Sequence, residues 1–482
     1  MSARPILVWF RQDLRTADQP ALATAAASGR PVVPLFVLDD DGPGRRRIGG
    51  AGRWWLAGSL EALAADLAGR GSPLVLRRGP AVATIRAVAA ETGAAAVNWT
   101  RHVEPHWRAA EAELARVLAA DGVEAGVFDG VGLFPPGRVL GREGRPIRVF
   151  TPFWRTCLAL PPPPRPGPAP AGLIPPPVPV ASESLADWQL RPSAPDWAAG
   201  LRATWTPGEA AAMARLAAFH AGDLAAYARD RNRPEPTATS LLSPHLHWGE
   251  ISPAQVWHAT LARTATAPAL AAGADSFLRE LGWREFCLHT LWHSPAMADE
   301  PLQSRFADFP WRPEPALLRA WQRGLTGYPI VDAGMRQLWH TGWMHNRVRM
   351  VVASFLVKHL LQPWQAGEAW FWDTLVDADL ANNAGGWQWV AGCGTDAAPY
   401  FRIFNPVTQG ERFDADGAYV RRWLPALARL PERWIQRPWE APALELAAAG
   451  VRIGIDYPRP LVDHVQARDR ALAAFAHLKA AS

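Results

Sequence analysis

Cysteine is scarce in this sequence, and lysine is scarcer. Its 482 residues include 3 cysteines, at 157, 287 and 393, and only two of the 50 basic residues, Lys358 and Lys479, are lysine. Three cysteines cannot staple a chain of this length, and none forms a C-x-x-C pair. A disulfide framework and a zinc ribbon are therefore excluded, and a reducing cytoplasm is the expected compartment. No apolar run reaches 18 residues, so no helical membrane span is expected. Met1 to Pro5 run directly into the strand-like Ile6–Phe10, which leaves no room for a signal peptide. That run is followed by Arg11-Gln12-Asp13-Leu14-Arg15 rather than G-x-G-x-x-G, and neither lysine is preceded by glycine. A standard dinucleotide fingerprint and a P-loop are both missing. No internal repeat is visible.

What is present points to a folded, arginine-rich protein. The hydrophobic fraction of 49% suffices for a large core, and the formal net charge is +5. Guanidinium forks match phosphate oxygens, so an arginine-lined surface suits a phosphate-bearing partner, although so small a net charge supports nucleic acid only weakly. Tryptophan is the unusual residue: 25 in all, 13 of them between Trp248 and Trp389. Core packing accounts for only part of that concentration.

Apolar runs at 6–10, 32–38, 74–76, 95–99 and 123–128 read as buried parallel strands. Helical patterns separate them. Asp18 is placed to cap the first helix, with Pro20 in its first turn. Leu56, Leu60, Leu63 and Leu67 form a second stripe before Gly71. Val82, Ile85 and Val88 form a third before Gly93, and Leu114, Val117 and Leu118 a fourth before Gly122. The expectation for 1–130 is a five-stranded, doubly wound parallel α/β domain. Residues 161–180 contain 11 prolines and fit an extended connector within a linker spanning 131–204. From 205 to 482 the pattern is helical, and Tyr328–Val331 is too short a strand-like run to count.

Four helical-domain segments mix groups that core packing avoids. In Thr239-Ser240-Leu241-Leu242-Ser243, hydroxyls cluster where a helix begins, which suits phosphate oxygens or a plain helix cap. In 277–286, Glu280 and Trp283 share a helix face with Arg284 one turn on; a Glu280–Arg284 surface pair is the plainer reading. In 341–350, Asn346 and Met350 share a face beside Arg349, as an amphipathic helix with exposed arginines also would. Segment 377–389 combines Asp377, Asp379, Asn382, Asn383, Gly385, Gly386, Trp387 and Trp389 and matches no amphipathic template. Asp377 and Asp379 lack the distal glutamate of a calcium loop. His289 and His293 have helical zinc-ligand spacing, but Thr290 stands where a metalloprotease needs glutamate. They are expected to be satisfied helix histidines, and no metal site is expected.

At these motifs the sequence resembles the DNA photolyase/cryptochrome family, most closely its class I cyclobutane pyrimidine dimer photolyases. Trp9–Arg15, Thr326–Asp332, Gly342–Met350, Asp377–Trp389 and Gly394–Pro406 carry the resemblance in order across the whole chain. It implies a helical FAD-binding domain and a light-driven carbon–carbon lyase that splits pyrimidine dimers in damaged DNA. The alternative is a cryptochrome photoreceptor without repair activity. Neither a membrane nor an obligate protein partner is implied. By resemblance, Tyr227, Thr239, Ser240, Leu241, Leu242, Ser243, Arg349, Asp377, Ala378, Asp379 and Asn383 hold FAD. Leu241 replaces the usual arginine of that turn. Arg349 is expected to pair with Asp377. Asn383 is expected to face the flavin N5, where a neutral amide bonds without adding charge.

The resemblance also implies that the lesion is flipped out of the duplex into a pocket of Glu280, Trp283, Asn346, Met350 and Trp389. Glu280, if protonated, would donate to a carbonyl that gains charge after electron transfer. Arg284, Arg347, Gln409 and Arg412 are the expected phosphate contacts. Trp387, Trp364 and Trp311 match the family's electron-carrying positions, by which oxidised flavin is returned to the working reduced form. For an antenna, Glu104 stands where folate-binding relatives carry an acid, while Thr100, Met297 and Ala298 depart from their amide, cysteine and lysine. That argues against methenyltetrahydrofolate and leaves deazaflavin or no antenna. The Met344-His345-Asn346-Arg347 run and the chain's end at Ser482 favour dimer repair over (6-4) repair or signalling.

Overall fold

The computed structural model describes residues 3–40, 42, 46–235, 238–396 and 401–480. The chain forms two compact units. One comprises residues 1–225, 240–295 and 376–381; the other comprises 226–239, 296–375 and 382–482.

The first unit is built on five parallel strands: β1 (Ile6–Phe10), β2 (Val32–Leu38), β3 (Val75–Arg78), β4 (Ala96–Thr100) and β5 (Glu124–Phe128). Their order is β3-β2-β1-β4-β5, with Ile6 opposite both Val32 and Ala96. This is the doubly wound sheet expected, with α1 (Pro20–Ala27), α2 (Gly50–Gly69), α3 (Ala81–Thr92) and α4 (Pro105–Ala120) as crossovers. Leu7, Trp9, Val33, Leu35, Val97 and Trp99 fill the core with Ile85 and Val88 of α3 and Trp107 and Leu114 of α4.

Two local expectations need correction. Gln19, not Asp18, caps α1, its side chain accepting from Leu22 N, while Asp18 takes a left-handed φ of 50°. Strand β5 is an edge, not a buried strand: Val127 is 39% exposed. As expected, Tyr328–Val331 forms no strand; Pro329 opens a helix, where its missing N–H costs nothing.

The turn after β1 is closed by its own side chains. Asp13 accepts from Arg11 N at 2.7 Å and Gln19 Nε2 at 2.6 Å, and Arg11 pairs with Glu111 at 2.7 Å while lying over the Trp9 ring. A glycine loop would leave this turn open to a phosphate; here buried side chains occupy it.

Helix α5 (Phe150–Ala159) precedes the proline-rich stretch, which runs as a strap fixed to the first unit. Asp18 N donates to Gly167 O, Leu173 N to Arg70 O and Val32 N to Ile174 O, all at 2.7–2.8 Å. Extended backbone with many prolines has few donors of its own, so its carbonyls and scattered N–H groups pair with neighbours instead. The helix α6 (Ala271–His293) completes the part of this unit that concerns function.

The second unit is helical. Its functional walls are α7 (Pro329–Thr341), α8 (Asn346–Ser354), α9 (Trp364–Thr374), α10 (Leu380–Ala391) and α11 (Pro406–Phe413). A π-helical segment, Phe355–His359, continues α8. The last helix, α12, spans His464–Ala480.

Candidate flavin and nucleic-acid site

Asn383 is the most constrained of the expected flavin contacts. It sits in the first turn of α10, only 8% exposed. Its Nδ2 donates to the backbone O of Glu368 at 3.1 Å and to Glu368 Oε1 at 2.9 Å. Glu368, buried on α9, presents two acceptors, so the amide nitrogen must turn toward it. Oδ1 is left as an acceptor with no partner among the described residues. Glu368 was not among the expected site residues. A single acid on an amphipathic helix has no sequence signature.

The other expected FAD contacts fall in both units. In the second, Tyr227 is buried and Thr239 half-buried, and Arg349 Nε donates to Met344 O at 2.7 Å. In the first, Ser240 to Ser243 form a turn in which Ser240 Oγ accepts from Leu242 N, and Ser243 opens a short helix to His247. Leu241 holds a left-handed φ of 54°, a conformation that costs a side chain roughly 1–2 kcal/mol. Asp377 and Ala378 are buried and Asp379 half-buried. Burial pushes the His247 proton affinity down, against the pull of nearby Asp379 and Asp377. Taken in each unit separately, the group types suit an FAD: in the first, hydroxyls for phosphates and carboxylates for hydroxyls; in the second, an acceptor at Asn383 for a ring N–H.

The tryptophans expected to carry electrons run from buried to half-buried. Trp387 is 2% exposed, with its ring 5.0 Å from Phe371 and 6.1 Å from Trp321. It is packed so tightly on α9 that a Cβ at Gly367 would lie 2.1 Å from its ring. Trp364, one turn before Gly367, is 1% exposed. The segment bearing Trp311 is tied just upstream of Trp364: Arg312 N donates to Leu361 O at 2.8 Å, and Gln362 Nε2 to Arg312 O at 2.7 Å. Trp311 itself is half-buried against Phe309.

A concave pocket of about 380 Å³ lies wholly in the second unit. It brings together Met350, Trp389, Arg347, Gln409 and Arg412 of the expected residues, and adds Asn232, Arg402, Phe404 and Phe413. Arg402 and Phe404 lie within the Gly394–Pro406 run and Phe413 next to Arg412, but nothing in the pattern of those residues, or in the single Asn232, marks them as pocket-lining. Arg347 Nη2 donates to Asn232 Oδ1 at 2.8 Å, and its guanidinium lies 4.4 Å from the Phe413 ring centroid. Burial, then the charges of Arg231, Arg412 and Arg402, lower the Arg347 pKa. Positive charge from three neighbouring guanidiniums is thus concentrated on Arg347 at this wall. Trp389 is pinned by Nε1 donating to Asp396 O at 3.1 Å.

Helix α8 is capped by His345, whose Nδ1 accepts from Arg347 N at 3.2 Å. Burial and the arginines push His345 down to about 4, so it is neutral at neutral pH. Asn346 follows it and is exposed.

The expected residues of the first unit are placed separately. Glu280 and Trp283 lie on α6, both half-buried, with Trp283 stacked on Phe150 at 3.7 Å and 6°. Arg284 does not fit its expected phosphate role. Its Nη1 donates to Val131 O and its Nη2 to Leu246 O, and it lies 3.6 Å from Glu285. The expected Glu280–Arg284 surface pair is likewise not how Arg284 is used. Met297 and Ala298 are buried and present no polar side chain for a folate. Among the described residues no helix is long and apolar enough to cross a membrane.

A doubly wound parallel sheet in the first unit, and in the second a buried, oriented amide at Asn383 and an arginine-rimmed aromatic pocket, are compatible with a flavoprotein that acts on nucleic acid. Comparison with known proteins agrees. Residues 6–171 match the family model described as DNA photolyase, and residues 277–477 match the FAD binding domain of DNA photolyase. The chain belongs to the DNA photolyase family, and its helical domain is an FAD-binding domain. It is 48% identical over 482 residues to a deoxyribodipyrimidine photo-lyase of Agrobacterium fabrum, covering 99% of each chain. It is 39% identical to cryptochrome-1 of Arabidopsis thaliana, covering 99% of this chain and 71% of the relative. Its fold matches a bacterial class III photolyase from Agrobacterium tumefaciens at a TM-score of 0.95, with 48% identity and coverage of 99% and 98%. The class I expectation gains nothing from that structure, which is a class III enzyme.

Proposed function

We propose that this protein is a light-driven deoxyribodipyrimidine photo-lyase that works on cyclobutane pyrimidine dimers in DNA, in the cytoplasm. The observation that supports it most directly is the pocket of Met350 and Trp389 rimmed by Arg347, Arg402 and Arg412. FAD, when bound in its reduced form, would supply the photochemical electron. The chain's own residues do the rest. Trp389 and Met350 offer apolar walls to a base lifted from the stack, where stacking on an aromatic is worth about 1–3 kcal/mol. The arginines hold backbone phosphates on either side of that base. Asn346 and Glu280 recognise its polar edge. Asn383 would present Oδ1 to the flavin N5 hydrogen, and Glu368, holding Nδ2, would keep its donors turned away. Asp377, Asp379, Tyr227, Arg349 and the Thr239–Ser243 turn anchor the rest of the cofactor. Trp387, Trp364 and Trp311 relay electrons from solvent toward it.

The close relation to photolyases over 99% of both chains favours repair over the cryptochrome reading, and the class III relative favours that class. Equilibrium binding tests the reading without light. An oligonucleotide with one dimer should bind at least tenfold more tightly than its undamaged counterpart, with affinity falling steeply as salt rises. Equal affinity for both would contradict it.

A further inference from the structure

Two histidines of α6 take no part in the reading above. His289 and His293 were expected to be satisfied helix histidines, and the structure contradicts this. The Nε2 atoms of both are shielded from solvent, and neither has a hydrogen-bond partner among the described residues. His289 is 7% exposed.

The two rings lie 4.7 Å apart at 63°. Two imidazoles sharing one ion through Nε2 bonds of about 2.0–2.1 Å hold their centroids roughly 4.5–5.2 Å apart, for N–metal–N angles from square to tetrahedral. Phe153, 4.9 Å from the His289 ring, walls that ring.

We propose that His289 and His293 bind one divalent transition-metal ion (zinc, nickel or copper) through their Nε2 atoms. Among the described residues no third His, Cys, Asp or Glu joins them, so water or a small exogenous ligand completes the coordination. Arg108, 3.9 Å from the Trp292 ring centroid and donating to the Trp292 backbone oxygen at 3.0 Å, brings positive charge beside this part of α6 and opposes a cation there. The site is accordingly weaker than a four-ligand structural zinc centre.

The test is calorimetric titration of the full-length, chelator-treated protein with Zn2+, Ni2+ or Cu2+, beside Cu2+ electron paramagnetic resonance of the unmutated protein. One equivalent should bind, and H289A and H293A should each weaken binding by about tenfold or more while flavin content is retained. The Cu2+ spectrum should show hyperfine coupling to two imidazole nitrogens. No stoichiometric binding, unchanged affinity in both variants, or coupling to fewer than two imidazoles would overturn the proposal. The spectrum decides the matter even where a variant folds poorly.

Discussion

The carboxamide of Asn383 is held nitrogen-first on Glu368, with Nδ2 2.9 Å from Oε1 and 3.1 Å from the backbone oxygen. Both donors of the amide are thereby occupied, and its single acceptor is turned the other way. A carboxylate cannot donate, so the buried acid selects one of the two amide orientations. The preference is worth about 1 kcal/mol or more, because the wrong orientation would bury an oxygen against an oxygen.

Glu368→Gln therefore loosens the selection, since glutamine offers a donor as well as an acceptor. The reduced flavin should reoxidise in air severalfold faster in this variant than in the parent, as followed by flavin absorbance. An unchanged lifetime would remove Glu368 from the site's function.

Gly367→Ala sets two effects against each other. Alanine gains roughly 1 kcal/mol of helix propensity over glycine. Its Cβ would lie 2.1 Å from the Trp387 ring, and such overpacking costs about 1–3 kcal/mol. The overlap should win: thermal stability falls and photoreduction slows as Trp387 shifts. A more stable variant with unaltered photoreduction would show that Trp387 is not tightly seated.

Trp387→Phe should cut the photoreduction of oxidised flavin by more than tenfold, measured by absorbance under continuous blue light. Repair by chemically reduced protein should persist. Photoreduction at the parental rate would mean that electrons travel by another path.

Arg347→Ala should weaken binding to damaged DNA and reduce the salt slope by about one unit. Arg347→Lys should recover the slope but only part of the affinity, because lysine cannot both bond Asn232 and stack on Phe413. An unchanged slope in the alanine variant would place Arg347 off the phosphate path.

Acid should loosen the second unit through His359. Its Nε2 lies 2.8 Å from His464 Nδ1 at the start of α12, and burial pushes it down to about 3. A histidine depressed from 6.5 contributes stability that is present above pH 6.5 and is lost as pH falls toward 3. The loss is at most about 1.4 kcal/mol per pH unit for this group. His359→Phe should flatten the pH dependence of the melting temperature in that window by about one proton's worth, with His345 and the other depressed histidines still contributing. An unaltered slope would exclude His359 from acid sensitivity.

The first unit was legible because its strands are continuous apolar runs and its helices carry leucine or valine stripes that end at glycine. The edge position of β5 was not, since Val127 and Phe128 look as apolar as a buried strand and only the strand order exposes them. The capping error at Asp18 arose between adjacent polar residues, where local turn geometry decides which side chain reaches the first helical N–H. In the site, Trp387, Met350 and Asn383 were readable only through the family's long motifs. Glu368 and Asn232 escaped because one polar residue on a helix is indistinguishable from a solvated face. Arg284 was misjudged for the converse reason: its partners are backbone carbonyls at 131 and 246, which no side-chain pattern announces.

The most direct measurement is dimer repair itself. Purified protein with reduced flavin is incubated with an oligonucleotide bearing one cyclobutane thymine dimer, in blue light and in darkness, and intact thymines are counted by chromatography. Loss of the dimer in light alone, with no net oxidation of the flavin, is the predicted result. A dimer that survives illumination with reduced flavin bound would contradict the account.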